Sequence, residues 1–133
     1  MKIEAIEGIG PVYGQKLRSA GVTSVAKLLK AGAGRSDRKK LAEASGIDEK
    51  KLLDLVNMAD LFRIKGIASQ YAELLKAVGV DTVKELKMRN CGNLCAKMKE
   101  VNDARKLVRQ LPSQSVVDGW IHEAASLPPV ITH

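Results

Sequence analysis

Aromatic side chains are scarce in this chain: one Trp, two Tyr and one Phe among 133 residues. Any core must be assembled from Leu, Val, Ile and Ala, which suits short, closely packed helices. Cysteine is nearly absent as well. Cys91 and Cys95 stand at i and i+4, a spacing that shares a helix face but suits a disulfide poorly. A zinc site would need two further ligands, and His122 and His133 show no metal-site spacing. No metal and no cofactor are expected, and two free thiols fit a reducing compartment. No apolar run approaches the roughly 18–20 residues of a membrane span. No secretory leader is visible either, because Glu4 and Glu7 interrupt the first residues. The expected location is the cytoplasm, with no membrane partner. H-E-x-x-H, G-x-S-x-G and phosphate-loop patterns are all missing, so no catalytic residue is assigned and the protein is not expected to be an enzyme.

Positive charge is plentiful. The chain is 28% charged with a net charge of +7. Residues 1–62 hold 11 basic and 8 acidic side chains, and residues 63–133 hold 11 and 7. The excess is densest from Lys84 to Arg109, where eight basic residues face three acidic ones. Such a balance is compatible with nucleic acid without requiring it.

The clearest pattern is internal repetition, which fixes architecture before any local reading. Ile6–Leu28 reads IEGIGPVYGQKLRSAGVTSVAKL, and 58 residues later Ile64–Leu86 reads IKGIASQYAELLKAVGVDTVKEL. Ile6, Gly8, Ile9, Tyr13, Leu17, Gly21, Val22, Val25 and Leu28 each meet the same residue type in the second copy. The copies part at Gly10 and Pro11, which become Ala68 and Ser69. Gly8-Ile9-Gly10 predicts a tight turn, Pro11 suits the start of a helix, and Gly21 suits its end.

Helical signals dominate the remainder. Ser24 predicts a cap for a helix over 25–30, with a flexible loop over 31–35. Ser36 predicts the next cap and Gly46 the next stop. Asp48 caps a longer helix with Leu52, Leu55, Val56 and Ala59 on one stripe, which leads directly into the second copy. Thr82 and Glu85 form a capping box. An inserted helix is expected near 93–101. Asn102 is expected to cap a further helix carrying Leu107, Val108 and Leu111, and Pro112 to break it. Ser113 opens a last helix bearing Val117, Trp120, Ile121 and Ala124. Residues 130–133 are expected to fray. Tyr13, Tyr71 and Trp120 read as packing residues.

Each copy resembles the helix-hairpin-helix motif: apolar-Gly-Ile-Gly-Pro, a small residue at Gly14, then Gly21-Val22. With its trailing helices, each is similar to the N-terminal domain of RecA-class recombinases. The segments NMADLFRIKGI, VNDARKLVRQLPS and VVDGWIHEAASL also resemble an uncharacterised, largely bacterial domain-of-unknown-function family. The resemblance implies an all-α fold: two tandem helix-hairpin-helix units of the SAM-like kind, residues 1–62 and 63–133, joined by a shared helix into one compact body.

In that motif, hairpin amides and a helix N-terminus meet a DNA phosphate. Carried over, hairpin one offers Gly8, Gly10 and Val12 with Lys16 one turn along. Hairpin two offers Gly66, Ala68 and Ser69 with Arg63 and Lys65. Hairpin one has the better glycines, but Glu4 and Glu7 oppose phosphate there; hairpin two has the better charge. The implied function is non-catalytic, sequence-independent binding of double-stranded DNA through its phosphates. A protein partner docking on a helical scaffold is the alternative.

Overall fold

The structure, a computed structural model, describes residues 1–6 and 8–133. The described residues form eight α-helices and one 3-10 turn, Ile3–Ala5. They contain no strand; one isolated antiparallel bridge joins Lys2 and Ser24. The all-helical expectation therefore holds for them. In order the helices are α1 (Gly10–Ser19), α2 (Val25–Gly32), α3 (Arg35–Ser45), α4 (Glu49–Leu61), α5 (Ser69–Ala77), α6 (Val83–Lys87), α7 (Cys91–Arg105) and α8 (Gln114–Ser126).

The chain divides into two compact units. The first is Met1–Asp60 with Val130–His133, and the second is Leu61–Pro129. The division falls inside α4, just ahead of the 62/63 boundary drawn from the sequence.

In the first unit, α1 packs on α3, and the 3-10 turn lies against α1 and α2. Ile3, Ile6, Ile9, Leu17, Val22 and Leu28 are buried there, as is the α4 stripe Leu52, Leu55, Val56 and Ala59. In the second unit, α8 packs against α6 and α7, and α7 against α5. Ile64, Ile67, Leu75, Val80, Leu86, Leu94, Met98 and Trp120 are buried there. Truncating a fully buried leucine such as Leu17 or Leu75 would cost roughly 2–5 kcal/mol.

The repeat persists in the backbone. Val22 N–H donates to Leu17 C=O at 2.8 Å, and Val80 N–H to Leu75 C=O at 2.8 Å. Gly21 and Gly79 have φ of 86° and 91°. Ser24 accepts from Lys27 N–H, and Thr82 from Glu85 N–H. The capping box is shifted by one residue: the Glu85 carboxylate reaches Asp81 N–H and the Thr82 hydroxyl.

Four local readings need correction. Ser36 is no cap, because Gly34 occupies that position and α3 starts at Arg35. The reason lies two residues past Ser36, where the Arg38 guanidinium reaches back to Gly32 C=O at 2.8 Å and Ala33 C=O at 3.0 Å. These bonds satisfy the end of α2 and tighten the turn, so the loop over 31–35 shrinks to two residues. Asn102 ends a helix where it was expected to begin one. It lies inside α7, which starts earlier and runs further than the expected 93–101. Its side-chain oxygen accepts from Val108 N–H at 2.9 Å, and its amide nitrogen donates to Val108 C=O at 3.1 Å. Residues 106–113 consequently form an irregular loop rather than a helix. The tail, finally, does not fray: Thr132 N–H donates to Ala33 C=O at 2.8 Å, and Thr132 C=O accepts from Arg38 at 2.6 Å.

Candidate nucleic-acid interface

Each hairpin is a turn held by buried isoleucines. Ile9 N–H donates to Ile6 C=O at 3.3 Å, and Ile67 N–H to Ile64 C=O at 3.2 Å. All four side chains are buried, which pins the turn from inside while its glycines stay exposed. Gly8 and Gly66 have φ of 81° and 92°, a left-handed backbone that side chains rarely adopt. Gly66 also lies close to the indole: a Cβ there would sit 3.3 Å from Trp120 Nε1.

The hairpins differ one step later. Gly10 keeps a positive φ of 63°, whereas Ala68 is extended at φ −119° and ψ −173°. Ala68 therefore fits its place without a glycine, and the second helix opens one residue later, at Ser69.

Around hairpin one, Gly8 and Gly10 line a shallow concavity of about 390 Å³ with Glu4, Ile6, Ile9 and Pro11. Val12, 63% exposed, and the half-buried Lys16 lie further along α1, outside that lining. Glu4 does not stand alone there. Arg18 donates from Nε at 2.9 Å and also from Nη2, a two-point clamp. These bonds hold the Glu4 carboxyl down to about 2, and they offset the charge expected to repel phosphate. Gly14 makes room for the clamp, since a Cβ there would come within 3.3 Å of Glu4 Oε2. Glu7, the other acid named at this hairpin, lies outside the described residues.

Hairpin two carries a carboxylate that the sequence reading missed. Lys65 N–H donates to both oxygens of Glu123, each at 3.2 Å. The Lys65 side chain is exposed. Arg63 is half-buried and donates to Pro128 C=O at 3.0 Å, so its cation is partly committed to the chain. Gly66 and Ala68 are exposed and Ser69 is half-buried. Glu123 could have been suspected from its half-buried place on α8, at the edge of the stripe formed by Val117, Trp120 and Ala124.

The two tyrosines pack. Tyr71 donates to Gln110 C=O at 3.2 Å and its ring lies 5.4 Å from that of Trp120. Lys51 Nζ lies 5.2 Å from the Tyr13 ring centre. Cys91 and Cys95 are free thiols in the first turns of α7. Burial pushes the Cys95 thiol up, and neighbouring Cys91 adds to the shift. Among the described residues no group of three or more His, Cys, Asp or Glu could hold a metal ion, and no helix is long and apolar enough to cross a membrane.

These features define a small all-helical protein with a repeated glycine turn at the head of two helices. The model of a domain of unknown function, DUF4332, matches residues 7–127, and the chain belongs to that family. No curated protein and no solved structure matches the chain.

Proposed function

We propose that this protein is a non-catalytic, cytoplasmic module that binds double-stranded DNA through its phosphates without reading sequence. On this reading the two turns are helix-hairpin-helix elements, and each unit is similar to the N-terminal domain of RecA-class recombinases. The observation that carries the reading is the twofold occurrence of one exposed glycine turn, braced by the same buried isoleucines and opening a helix each time. Helix N-termini present amides and a positive dipole end to anions. The net charge of +7 supports it, as does the Arg18 clamp on Glu4. Two thiols without a disulfide suit a reducing compartment.

Titration of an arbitrary-sequence duplex at two salt concentrations tests the proposal. With about 3–4 phosphate contacts, affinity should fall roughly 40- to 150-fold between 50 and 200 mM salt. Lys65→Glu should weaken binding to every sequence alike and flatten the slope. Absent or salt-independent binding would remove the proposal.

One observation favours a second reading. The Glu123 carboxylate already occupies the Lys65 amide, as in a turn built for packing and for docking a protein partner. Glu123→Gln separates the two: under the DNA reading, removing that charge strengthens duplex binding, and under the scaffold reading it leaves binding absent.

A further inference from the structure

Asn102 closes α7 and brings a short cationic loop to the first turn of α5. Lys106 is the only described residue other than glycine with a positive φ, 52°, and its N–H donates to Asn102 C=O at 2.7 Å. The Asn102 amide then holds Val108 from both sides. Lys106 and Arg109 are thereby fixed on the wall of a concavity of about 450 Å³, together with Gln70, Asn102 and Asp103. Asp103 is paired with Lys99 at 3.0 Å, so its charge is balanced. Among the described residues, neither Lys106 nor Arg109 has a carboxylate in ion-pair range. Among the described residues the concavity thus holds two cations without acidic partners, together with the exposed side chain of Gln70. Gln70 follows hairpin two by only a few residues.

We infer that the loop from Lys106 to Arg109 is a phosphate-binding site that takes the nucleic-acid backbone on from hairpin two. The inference rests on the DNA reading above and adds a site to it. Two cations 3 residues apart on a braced loop can meet neighbouring phosphates, while the exposed Gln70 amide donates a hydrogen bond to the same oxygens. Such contacts carry no sequence information.

The test is the two-salt duplex titration on Lys106→Asn/Arg109→Gln, with Lys39→Gln/Lys40→Gln as the control. The control removes the same charge from exposed positions of α3. Asn is chosen at 106 because it tolerates the left-handed backbone. Losing two contacts should flatten the log–log slope by about 1.8, so the fall between 50 and 200 mM salt shrinks about 12-fold. The control should run nearly parallel to wild type. In wild type, the Asn102 and Val108 amide resonances should shift when the duplex is added. A double-variant slope equal to wild type, or equal flattening by the control, overturns the site while leaving the DNA reading intact. Absence of duplex binding by wild type overturns both. Tight binding of inorganic pyrophosphate together with failure to bind duplex assigns the loop to small phosphates and refutes the backbone assignment.

Discussion

Arg38 is the residue that local reading misjudged most. In sequence it is one more cation in a basic helix, SDRKK. In the structure it is 5% exposed and donates to the carbonyls of Gly32, Ala33 and Thr132. Burial lowers its pKa from the ordinary arginine value, but guanidinium stays protonated throughout the accessible range. Arg38→Met would leave the Gly32 and Thr132 carbonyls to find new partners, while Ala33 C=O keeps Thr132 N–H, at a cost on the order of 2–4 kcal/mol. Hydrogen exchange should then show the Thr132 amide losing protection, while a Lys39→Met control changes neither stability nor exchange. Nothing in the sequence points to a partner 94 residues away, so this contact was beyond periodicity or capping rules. Glu4 teaches a related lesson, since its partner Arg18 is 14 residues on and visible only once α1 is folded. The clamp holds the Glu4 carboxyl at about 2 against an ordinary 4.5. A carboxyl lowered on folding stabilises above its unfolded pKa and loses that contribution as pH falls through the folded one. Glu4→Gln should therefore melt below wild type at pH 7. The gap should narrow below pH 4.5 and close near pH 2, as followed by circular dichroism. A constant gap across that range would dissociate the clamp from stability.

At the scale of elements, the rules that worked were those tied to one atom group at one position. Ser24, Asp48, Thr82 and Ser113 each accept a backbone N–H at the helix start. The α4 stripe is buried as its 3.6-residue spacing requires. Gly21 and Gly79 end the helices that open the two copies with the expected positive φ. The space beside them is open: no atom lies within 4 Å of a Cβ at Gly21, and only Arg89 Nη1, at 3.9 Å, at Gly79. The cost of alanine there is thus conformational, not steric. Gly21→Ala and Gly79→Ala should each lose about 1 kcal/mol or slightly more in chemical denaturation, by similar amounts. A neutral effect at either would mean that the turn relaxes freely. The rules failed where a polar side chain had two possible partners. Asn102 could serve an amide ahead of it or close the turn behind it, and only the packing of Val108, buried in the second unit, decides. That failure also hid the candidate site, because a helix over 102–111 leaves no Asn102-closed loop to carry Lys106 and Arg109.

For the whole molecule, the repeat was legible because identical residues at a 58-residue offset do identical work in the backbone. The partition of charge was not, because side chains remote in sequence set it: Arg18 on Glu4, and Glu123 on hairpin two. Hence the charge around each hairpin, among the described residues, depends on partners that the sequence does not place beside it. The tail bears on how the molecule comes into being. The first unit takes its last four residues from beyond the second, and Thr132 meets Ala33 across 99 positions. During vectorial synthesis on a ribosome, Arg38 emerges long before the Thr132 carbonyl exists. The nascent first unit must wait with two of the three acceptors of that guanidinium, until everything through Pro129 has been translated and has left the exit tunnel.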